Sequence, residues 1–194
     1  MTEPAVARVG VLISGQGSNM EALVRSAGPA AGYEVVLVAS NRPDAAGLDR
    51  ARELGVEAVA IDHRPFGKDR EAHERALHEA LLAAGCTHVA LAGYMRLLTP
   101  FLVEAWADRM VNIHPSLLPL YPGLDTHRRA IEAGDIEAGC SVHVVTAGVD
   151  EGPVIAQARV PVLPGDTPES LSARVLEAEH RLYPAALSDW ISGR

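Results

Sequence analysis

Two polar residues, Asn112 and His114, close the short β-branched run MVNIH and precede a proline-rich segment, PSLLPLYPGLDT. Alternate side chains of a strand face the same side, so this spacing puts the amide and the imidazole together. The carboxyl end of a buried parallel strand is where open α/β sheets bind their ligands. Both groups can donate hydrogen bonds to an oxygen that gains negative charge, which is the chemistry of acyl or formyl transfer. No Ser or Cys has the sequence context of an activated nucleophile, so direct attack by a substrate amine is the simpler hypothesis.

The glycine-rich segment GQGSNM, from Gly15 to Met20, joins a predicted strand to a predicted helix. Glycines let the backbone approach a ligand, and the amino end of a helix attracts anions, so this placement predicts a phosphate site. Met20 replaces the third glycine of the dinucleotide motif, and the Gly-Lys-Ser/Thr ending of a P-loop is missing. The alternative is an ordinary turn in which Ser18 or Asn19 caps the helix.

Other polar residues leave two interpretations open. Asp150 lies in the predicted turn VDEGP, where a carboxylate is usually solvated. His127, with Arg128 and Arg129, begins a predicted helix, and His143 lies on the run SVHVVT. Either histidine is a candidate anion contact. The alternative for His127 is a surface residue at a helix start, and the alternative for His143 is a buried strand residue.

Candidate metal ligands occur only in groups too small for a site, namely His73 with Glu74, Cys86 with His88, and Cys140 with His143. Leu77 stands where the zinc motif HExxH requires its second histidine. We therefore predict no metal. The two cysteines are far apart in sequence, so we expect buried thiols in a reducing compartment.

The elements that must position these residues alternate along the chain. Five short apolar runs predict parallel strands at residues 8–14, 34–40, 57–62, 88–93 and 110–114. Helical patterns lie between them at residues 44–54 and 69–84, and Thr99-Pro100 is typical of a helix N-cap. The sequence therefore predicts an α/β fold with a mostly parallel sheet covered by helices on both faces.

The second half departs from this alternation. Residues 141–146 and 154–162 form two apolar runs joined by the glycine-containing turn AGVDEGP, which predicts an antiparallel hairpin. A closing helix is predicted from Thr167-Pro168 to about Leu182. The predicted sheet is therefore mixed, with a C-terminal antiparallel pair.

Length and charge limit the function classes. A chain of 194 residues is expected to form one domain, and a net charge of −8 makes a large nucleic-acid surface improbable. No apolar run approaches the ~18 residues of a membrane span, and the N-terminus lacks a basic targeting region. We expect a cytoplasmic protein with small-molecule partners and no nucleic-acid or membrane partner.

Five segments in order, GQGSNM, NRPDAAGLDRARELG, LAGYMRLLTP, VNIHPSLLPLYPGL and SVHVVTAGVDEGPVIAQ, resemble the phosphoribosylglycinamide formyltransferase family. The resemblance runs from about residue 8 to residue 187, and NIHPSLLP with VDEGP is its most specific part. It implies a Rossmann-like formyltransferase fold. It also implies that a formyl group moves from 10-formyltetrahydrofolate, the co-substrate, to the amine of 5-phosphoribosylglycinamide in de novo purine biosynthesis.

By position, the resemblance implies three sets of site residues. The catalytic set is Asn112, His114 and Asp150. The set that binds the glycinamide substrate is Gly17, Ser18, Asn19 and Glu179. The set that binds the folate is Arg70, Met95, Arg96, Leu97, Leu98, Asn112, Thr146, Ala147, Gly148, Val149 and Asp150.

Residues 1–194 are expected to form a single formyltransferase domain, with a phosphate-binding part at about 8–105 and a catalytic and folate-binding part at about 106–190. The protein is expected to be a monomer or a homodimer. Formyltetrahydrofolate hydrolase is the nearest alternative function, and members of that family have a longer chain than this one. A non-catalytic sensor of phosphoribosyl ligands is a second alternative. Gln16, Leu120 and Asp125 depart from the family pattern, and the latter two put additional contacts from their loop in doubt.

Overall fold

A computed structural model describes residues 6–193. Residues 1–5 and Arg194 lie outside the described residues, and so do the two ends of the predicted domain and part of the segment from which we expect no targeting region. Within the described range the strands are β1 (Ala7–Ile13), β2 (Tyr33–Ser40), β3 (Ala58–Ala60), β4 (His88–Leu91), β5 (Met110–His114), β6 (Glu137–Val144) and β7 (Val154–Pro161). The α-helices are α1 (Ser18–Ser26), α2 (Ala46–Glu53), α3 (Arg70–Ala83), α4 (Pro100–Ala105), α5 (Thr126–Glu132) and α6 (Pro168–Ile191).

The strands form one mixed sheet in the order β3-β2-β1-β4-β5-β6-β7. Strands β1 to β5 pair in parallel, and β6 pairs antiparallel with both β5 and β7. Apolar side chains are buried on both faces: Val11 and Ile13 pack on the side of α1 and α6, whereas Leu12 packs with α3 and α4 on the other. The predicted architecture is confirmed, including the antiparallel pair.

The closing helix is longer than predicted. It runs to Ile191 rather than to about Leu182, with Pro184 inside it. Proline removes one intrahelical hydrogen bond, but Tyr183 and Leu187 are fully buried and continue the apolar face of the helix. The Tyr183 hydroxyl also donates toward the carbonyls of Leu91 and Val111, at 2.9 and 3.3 Å, so packing outweighs the local cost. Within the part of the chain described, even this helix lacks the hydropathy that a membrane span needs.

Strand bounds also shift. The predicted strand at residues 57–62 contracts to β3, and the first hairpin strand begins at Glu137 rather than at residue 141. Gly139 lies in this added stretch, where a Cβ would lie 2.0 Å from the Ala158 carbonyl oxygen. The close approach of β7 therefore requires glycine, whose low strand propensity hid the beginning of β6.

Helix starts are partly as predicted. The Asp69 carboxylate accepts from the Ala72 N–H at 2.9 Å and caps α3. Thr99 has the N-cap position of α4, but its hydroxyl donates to the Glu74 carboxylate instead of capping the helix. Both cysteines are buried free thiols, as expected, and burial raises the pKa of Cys86 to about 11 and that of Cys140 to about 12.

Candidate active site

The carboxyl end of β5 carries the central side chains of the site. In the antiparallel register between β5 and β6, Asn112 faces His143 and His114 faces Ser141. The Asn112 amide nitrogen lies 3.2 Å from Nε2 of His143. The prediction that Asn112 and His114 lie on one face is confirmed. Strand β6 adds a second imidazole, that of His143, which the sequence analysis interpreted either as an anion contact or as a buried strand residue.

Asp150 reaches this strand end from the connection between β6 and β7. Its backbone is left-handed, with φ 56°, and its Oδ2 lies 3.3 Å from Nδ1 of His114. The same oxygen accepts from the Gly123 N–H at 2.9 Å, and Oδ1 lies 3.5 Å from Nε2 of His143. Only 12% of the Asp150 side chain is exposed, so the alternative of a solvated turn carboxylate was wrong.

The charge of Asp150 follows from these contacts. Burial by itself would raise the pKa of its carboxyl, but the hydrogen bond from the Gly123 N–H lowers it. The positive charge available on His114 acts in the same direction, so the pKa lies below its usual value. The carboxylate is therefore ionised at neutral pH.

His114 has one nitrogen already committed. Its Nε2 lies 2.9 Å from the carbonyl oxygen of Tyr121, and because a carbonyl only accepts, Nε2 carries a proton. Nδ1 is then the nitrogen that can serve a substrate. The 3.3 Å contact with Asp150 is long for a charge-assisted hydrogen bond, so this carboxylate does not fully occupy Nδ1.

The proline-rich loop after β5 is fastened to the hairpin. The Ser141 hydroxyl donates to the Ser116 carbonyl at 2.7 Å and accepts from the Leu118 N–H at 3.0 Å. The Gln157 amide donates to the Leu118 carbonyl at 2.9 Å. Leu120, one of the positions that depart from the family pattern, is half exposed. The loop is thus fixed near the site by polar contacts from β6 and β7.

Helix α5 follows this loop, and its arginine side chains contact residues of the loop itself. Arg129 donates to the Pro122 carbonyl at 2.7 Å, and Arg128 lies 3.7 Å from the Asp125 carboxylate. His127 has no hydrogen-bond partner for its buried Nε2 among residues 6–193, and burial lowers the pKa of its ring. Arg128 and Arg129 therefore contact this loop and its helix; the interpretation of His127 as an anion contact stays a prediction.

The glycine-rich loop after β1 owes its shape to a second glycine that the sequence did not reveal. Gly17 is left-handed, with φ 75°, and serves as the N-cap of α1, so Ser18 and Asn19 are not the cap. A Cβ at Gly17 would lie 2.8 Å from Cα of Gly47 on α2, whose N–H donates to the Gly15 carbonyl at 3.0 Å. The one available signal was a glycine inside the helical pattern AAGLDRA.

No described side chain caps α1, so its first N–H groups remain available to an anion. Asn19 is the second residue of this first turn, and its amide donates to the Glu179 carboxylate at 2.7 Å, across 160 positions of sequence. Both side chains are buried, and burial raises the pKa of Glu179 despite the hydrogen bond from Asn19. Oδ1 of Asn19 has no partner within the described range. The structure therefore brings the predicted substrate residues of α1 and α6 together.

The predicted folate residues fall into two groups. Arg70, the first residue of α3, directs Nη1 to the Leu97 carbonyl at 3.5 Å, next to a loop whose Met95 and Leu97 are exposed. That loop is tied to the end of β1 by the hydrogen bond from the Met95 N–H to the hydroxyl of Ser14, the residue that follows the strand, at 2.9 Å. The second group, Thr146 to Val149, lies in the connection that leads to Asp150. No hydrogen bond or ion pair described for residues 6–193 joins the two groups.

Comparison with known proteins agrees with this geometry. The profile of the Formyl transferase family matches residues 7–187. The trifunctional purine biosynthetic protein adenosine-3 of Drosophila melanogaster is 47% identical over 189 residues, which is 96% of this chain but 14% of the length of that protein. Phosphoribosylglycinamide formyltransferase of Escherichia coli (strain K12) is 46% identical over 95% of this chain and 87% of its own.

A solved structure is also close. Glycinamide ribonucleotide transformylase 1 from Symbiobacterium toebii superposes with a TM-score of 0.94 at 49% identity, covering 98% of this chain and 90% of that one. Likeness at this level extends over every element that carries the candidate site. The chain belongs to the formyl transferase family.

Proposed function

We propose that this chain transfers a formyl group from 10-formyltetrahydrofolate to the amine of 5-phosphoribosylglycinamide, giving formylglycinamide ribonucleotide in de novo purine biosynthesis. Family membership and the names of the relatives support the reaction class. The observation that carries the proposal is the contact of an ionised Asp150 with His114 at the strand end that also bears Asn112. These are a carboxylate, an imidazole and an amide at one strand end, the groups that the reaction needs.

The phosphoribosyl end of the acceptor fits the glycine-rich loop. Gly17, Ser18 and Asn19 offer backbone N–H groups at the amino end of α1, which favours a phosphate without a local cation. Glu179 is buried beside Asn19 and lacks a cationic partner among the interactions described for residues 6–193. A ligand that brings N–H or O–H donors to this carboxylate would relieve the cost of its burial.

The folate would occupy the other side of the site. Arg70 and Arg96 supply positive charge for the carboxylates of its tail, and Met95 to Leu98 supply apolar surface for a ring system. The connection from Thr146 to Asp150 would complete the binding surface next to the catalytic group. Both substrates are anionic, so a chain with net charge −8 must concentrate its positive potential at these points.

The reaction begins with attack of the neutral amine on the formyl carbon. The C–N bond forms, the carbonyl π pair moves to oxygen, and a tetrahedral oxyanion results. The Asn112 amide and Nδ1–H of His114 would donate to this oxyanion, while Nε2 stays on the Tyr121 carbonyl. Removing one donor of this kind typically costs ~10²–10³-fold in rate.

Asp150 would assist the proton transfer that the reaction requires. The attacking nitrogen becomes positively charged and must lose a proton, and the departing folate nitrogen must gain one. A carboxylate ionised at neutral pH can order a water that relays this proton and can hold His114 in its orientation. Collapse of the intermediate then breaks the bond to the folate nitrogen and leaves formylated product.

The test measures deformylation of 10-formyltetrahydrofolate by the purified protein with and without phosphoribosylglycinamide. We expect release that depends on the acceptor and a matching amount of formylated product. Release without the acceptor would instead identify a hydrolase, and absence of release would identify a binding protein. Asn112→Ala and His114→Ala should fold normally and lose turnover; near-normal transfer by both would contradict the assigned roles.

The location of the activity is also part of the proposal. Two buried free thiols are typical of a reducing compartment, so we place the enzyme in the cytoplasm. Fractionation of the source cells, with the activity recovered in the cytosolic fraction, is the measurement that checks this location.

A further inference from the structure

We propose that His143 is a positioning residue that orients the Asn112 amide, by accepting a hydrogen bond from it at Nε2. This inference rests on the formyl transfer proposed above. His143 lies directly opposite Asn112 in the register of β5 and β6, and only 3% of it is exposed. Its ring is therefore held by the sheet at the point where the amide must be aimed.

The protonation of the ring follows from its other nitrogen. Nδ1 of His143 lies 3.0 Å from the carbonyl oxygen of Val144, which can only accept, so Nδ1 carries the proton. In a neutral imidazole the second nitrogen is then an acceptor. The Asn112 amide nitrogen, 3.2 Å away, is a donor that suits it.

Asp150 is the competing partner for the same nitrogen. Its Oδ1 lies 3.5 Å from Nε2 of His143, and a hydrogen bond there would require a proton on Nε2. Such a proton would point two donors, Nε2–H and the amide of Asn112, at each other. The shorter contact is to Asn112, so the geometry favours the neutral ring that accepts from the amide.

The consequence concerns which end of the amide faces the substrate. A half-turn about the last side-chain bond of asparagine exchanges its oxygen and its NH₂ group, and the two ends are similar in size. With one N–H held by His143, the second N–H of Asn112 remains for the oxyanion. Without this acceptor the amide is free to present its oxygen, which would repel the oxyanion. His143 thus removes an unproductive orientation before the substrate binds.

The test combines substitutions at two positions. His143→Met keeps a buried side chain of similar length whose sulfur is only a weak acceptor. We expect kcat to fall about tenfold with KM for both substrates little changed, as for one lost hydrogen bond. His143→Gln places a carbonyl oxygen near the position of Nε2 and should recover most of that loss. In an Asn112→Ala background, His143→Met should cause no further decrease.

Two results would overturn the proposal. A further decrease of about tenfold in the Asn112→Ala background would mean that His143 acts through Asp150 or through the fold. Equal activity of His143→Gln and His143→Met would mean that the acceptor is unimportant. His88→Gln is the matched control, since His88 is a half-buried histidine at the amino end of the central strand β4, packed against Trp190.

A measurement without substrate separates this inference from the proposed function. The ring ¹⁵N signals of His143 should report a protonated Nδ1 and an unprotonated Nε2 in the free protein at neutral pH. A protonated Nε2 would contradict the hydrogen bond from Asn112. If the wild-type protein failed to transfer formyl groups, the proposed function would fail, whereas the ring signals would still decide the hydrogen bond.

Discussion

The two halves of the candidate site, the glycine-rich loop after β1 and the strand end of β5, offer different chemical groups to a ligand. The glycine-rich loop offers backbone N–H groups, and its shape depends on a contact between two glycines, Gly17 and Gly47. The strand end of β5 offers side chains, and Asp150 reaches it from a separate connection. A site made from backbone is inseparable from the fold, whereas a site made from side chains can lose its chemistry and keep its fold. Substitutions in the two halves should therefore have different signatures.

The largest expected effect lies in the side-chain half. Asp150→Asn keeps an acceptor for the Gly123 N–H but removes the charge, so kcat should fall by ~10²–10⁴-fold, the usual contribution of a positioned proton carrier. Thermal unfolding should change little. Steady-state kinetics and calorimetry together check this. Glu151→Gln, a change at the exposed neighbour, is the control and should retain wild-type turnover.

The next effect tests the backbone half. Gly17→Ala forces a left-handed alanine, whose Cβ would lie 2.8 Å from the Gly47 backbone, so we expect a loss of about 1–3 kcal/mol in unfolding free energy. The KM for the phosphorylated acceptor should rise at the same time. Denaturant unfolding measures the first effect and initial rates the second.

Gly15→Ala in the same loop is the stability control. No described atom lies within 4 Å of a Cβ built there, so its unfolding free energy should stay near that of the wild type. Equal destabilisation by both alanines would show that the contact between the two glycines is not what shapes the loop.

A smaller effect is expected where a side chain only holds a substrate. Arg70→Ala should raise KM for the folate about tenfold, as for one charge-assisted hydrogen bond, with kcat and stability unchanged. Arg75→Ala is matched to it, because Arg75 is exposed on the same helix and pairs with Glu71. A similar rise in KM for both variants would point to general electrostatic attraction rather than a contact at Arg70.

The smallest effect sharpens the comparison at Glu179, which is hydrogen-bonded to Asn19 beside the glycine-rich loop. Burial raises the pKa of Glu179, so the folded protein binds the proton more tightly than the unfolded chain does. Stability from this group therefore falls as pH rises from the ordinary pKa of 4.5 through the raised value. Glu179→Gln removes the penalty and should raise Tm by about 2–4 °C above that window, equivalent to about 1 kcal/mol.

The gain in Tm should narrow as the pH is lowered and should vanish below 4.5, where the wild-type carboxyl is protonated in both states. Affinity for the acceptor should fall in the same variant. A Tm difference that is independent of pH would contradict the assignment of the penalty to ionised Glu179.

The local sequence pattern predicted the strands and the faces of their side chains, because these features depend on residues close together in the chain. Alternation along MVNIH placed Asn112 and His114 on one face, and near-continuous apolar runs identified β1, β2, β4 and β5 because both faces of the sheet are covered. The end of α6 was missed because Pro184 is a strong local signal, whereas the burial of Tyr183 that overrides it is a tertiary property.

Contacts distant in sequence were not readable from spacing. The hydrogen bond between Asn19 and Glu179 depends on how α1 packs against α6, and their common role came only from family resemblance. The position of His143 opposite Asn112 depends on the register of β5 with β6, which no short-range pattern fixes. The left-handed backbone of Asp150 is likewise unusual for a residue other than glycine and has no signature in the sequence.

The hydrogen bond from the Gly123 N–H to Asp150 joins two loops through a carboxylate of the candidate site. An amide hydrogen in such a bond exchanges with solvent only when the bond opens. Exchange at Gly123 therefore records how often the carboxylate leaves its place, in the free protein and without any turnover. The exchange rate of this one amide therefore measures how often the Gly123–Asp150 contact opens.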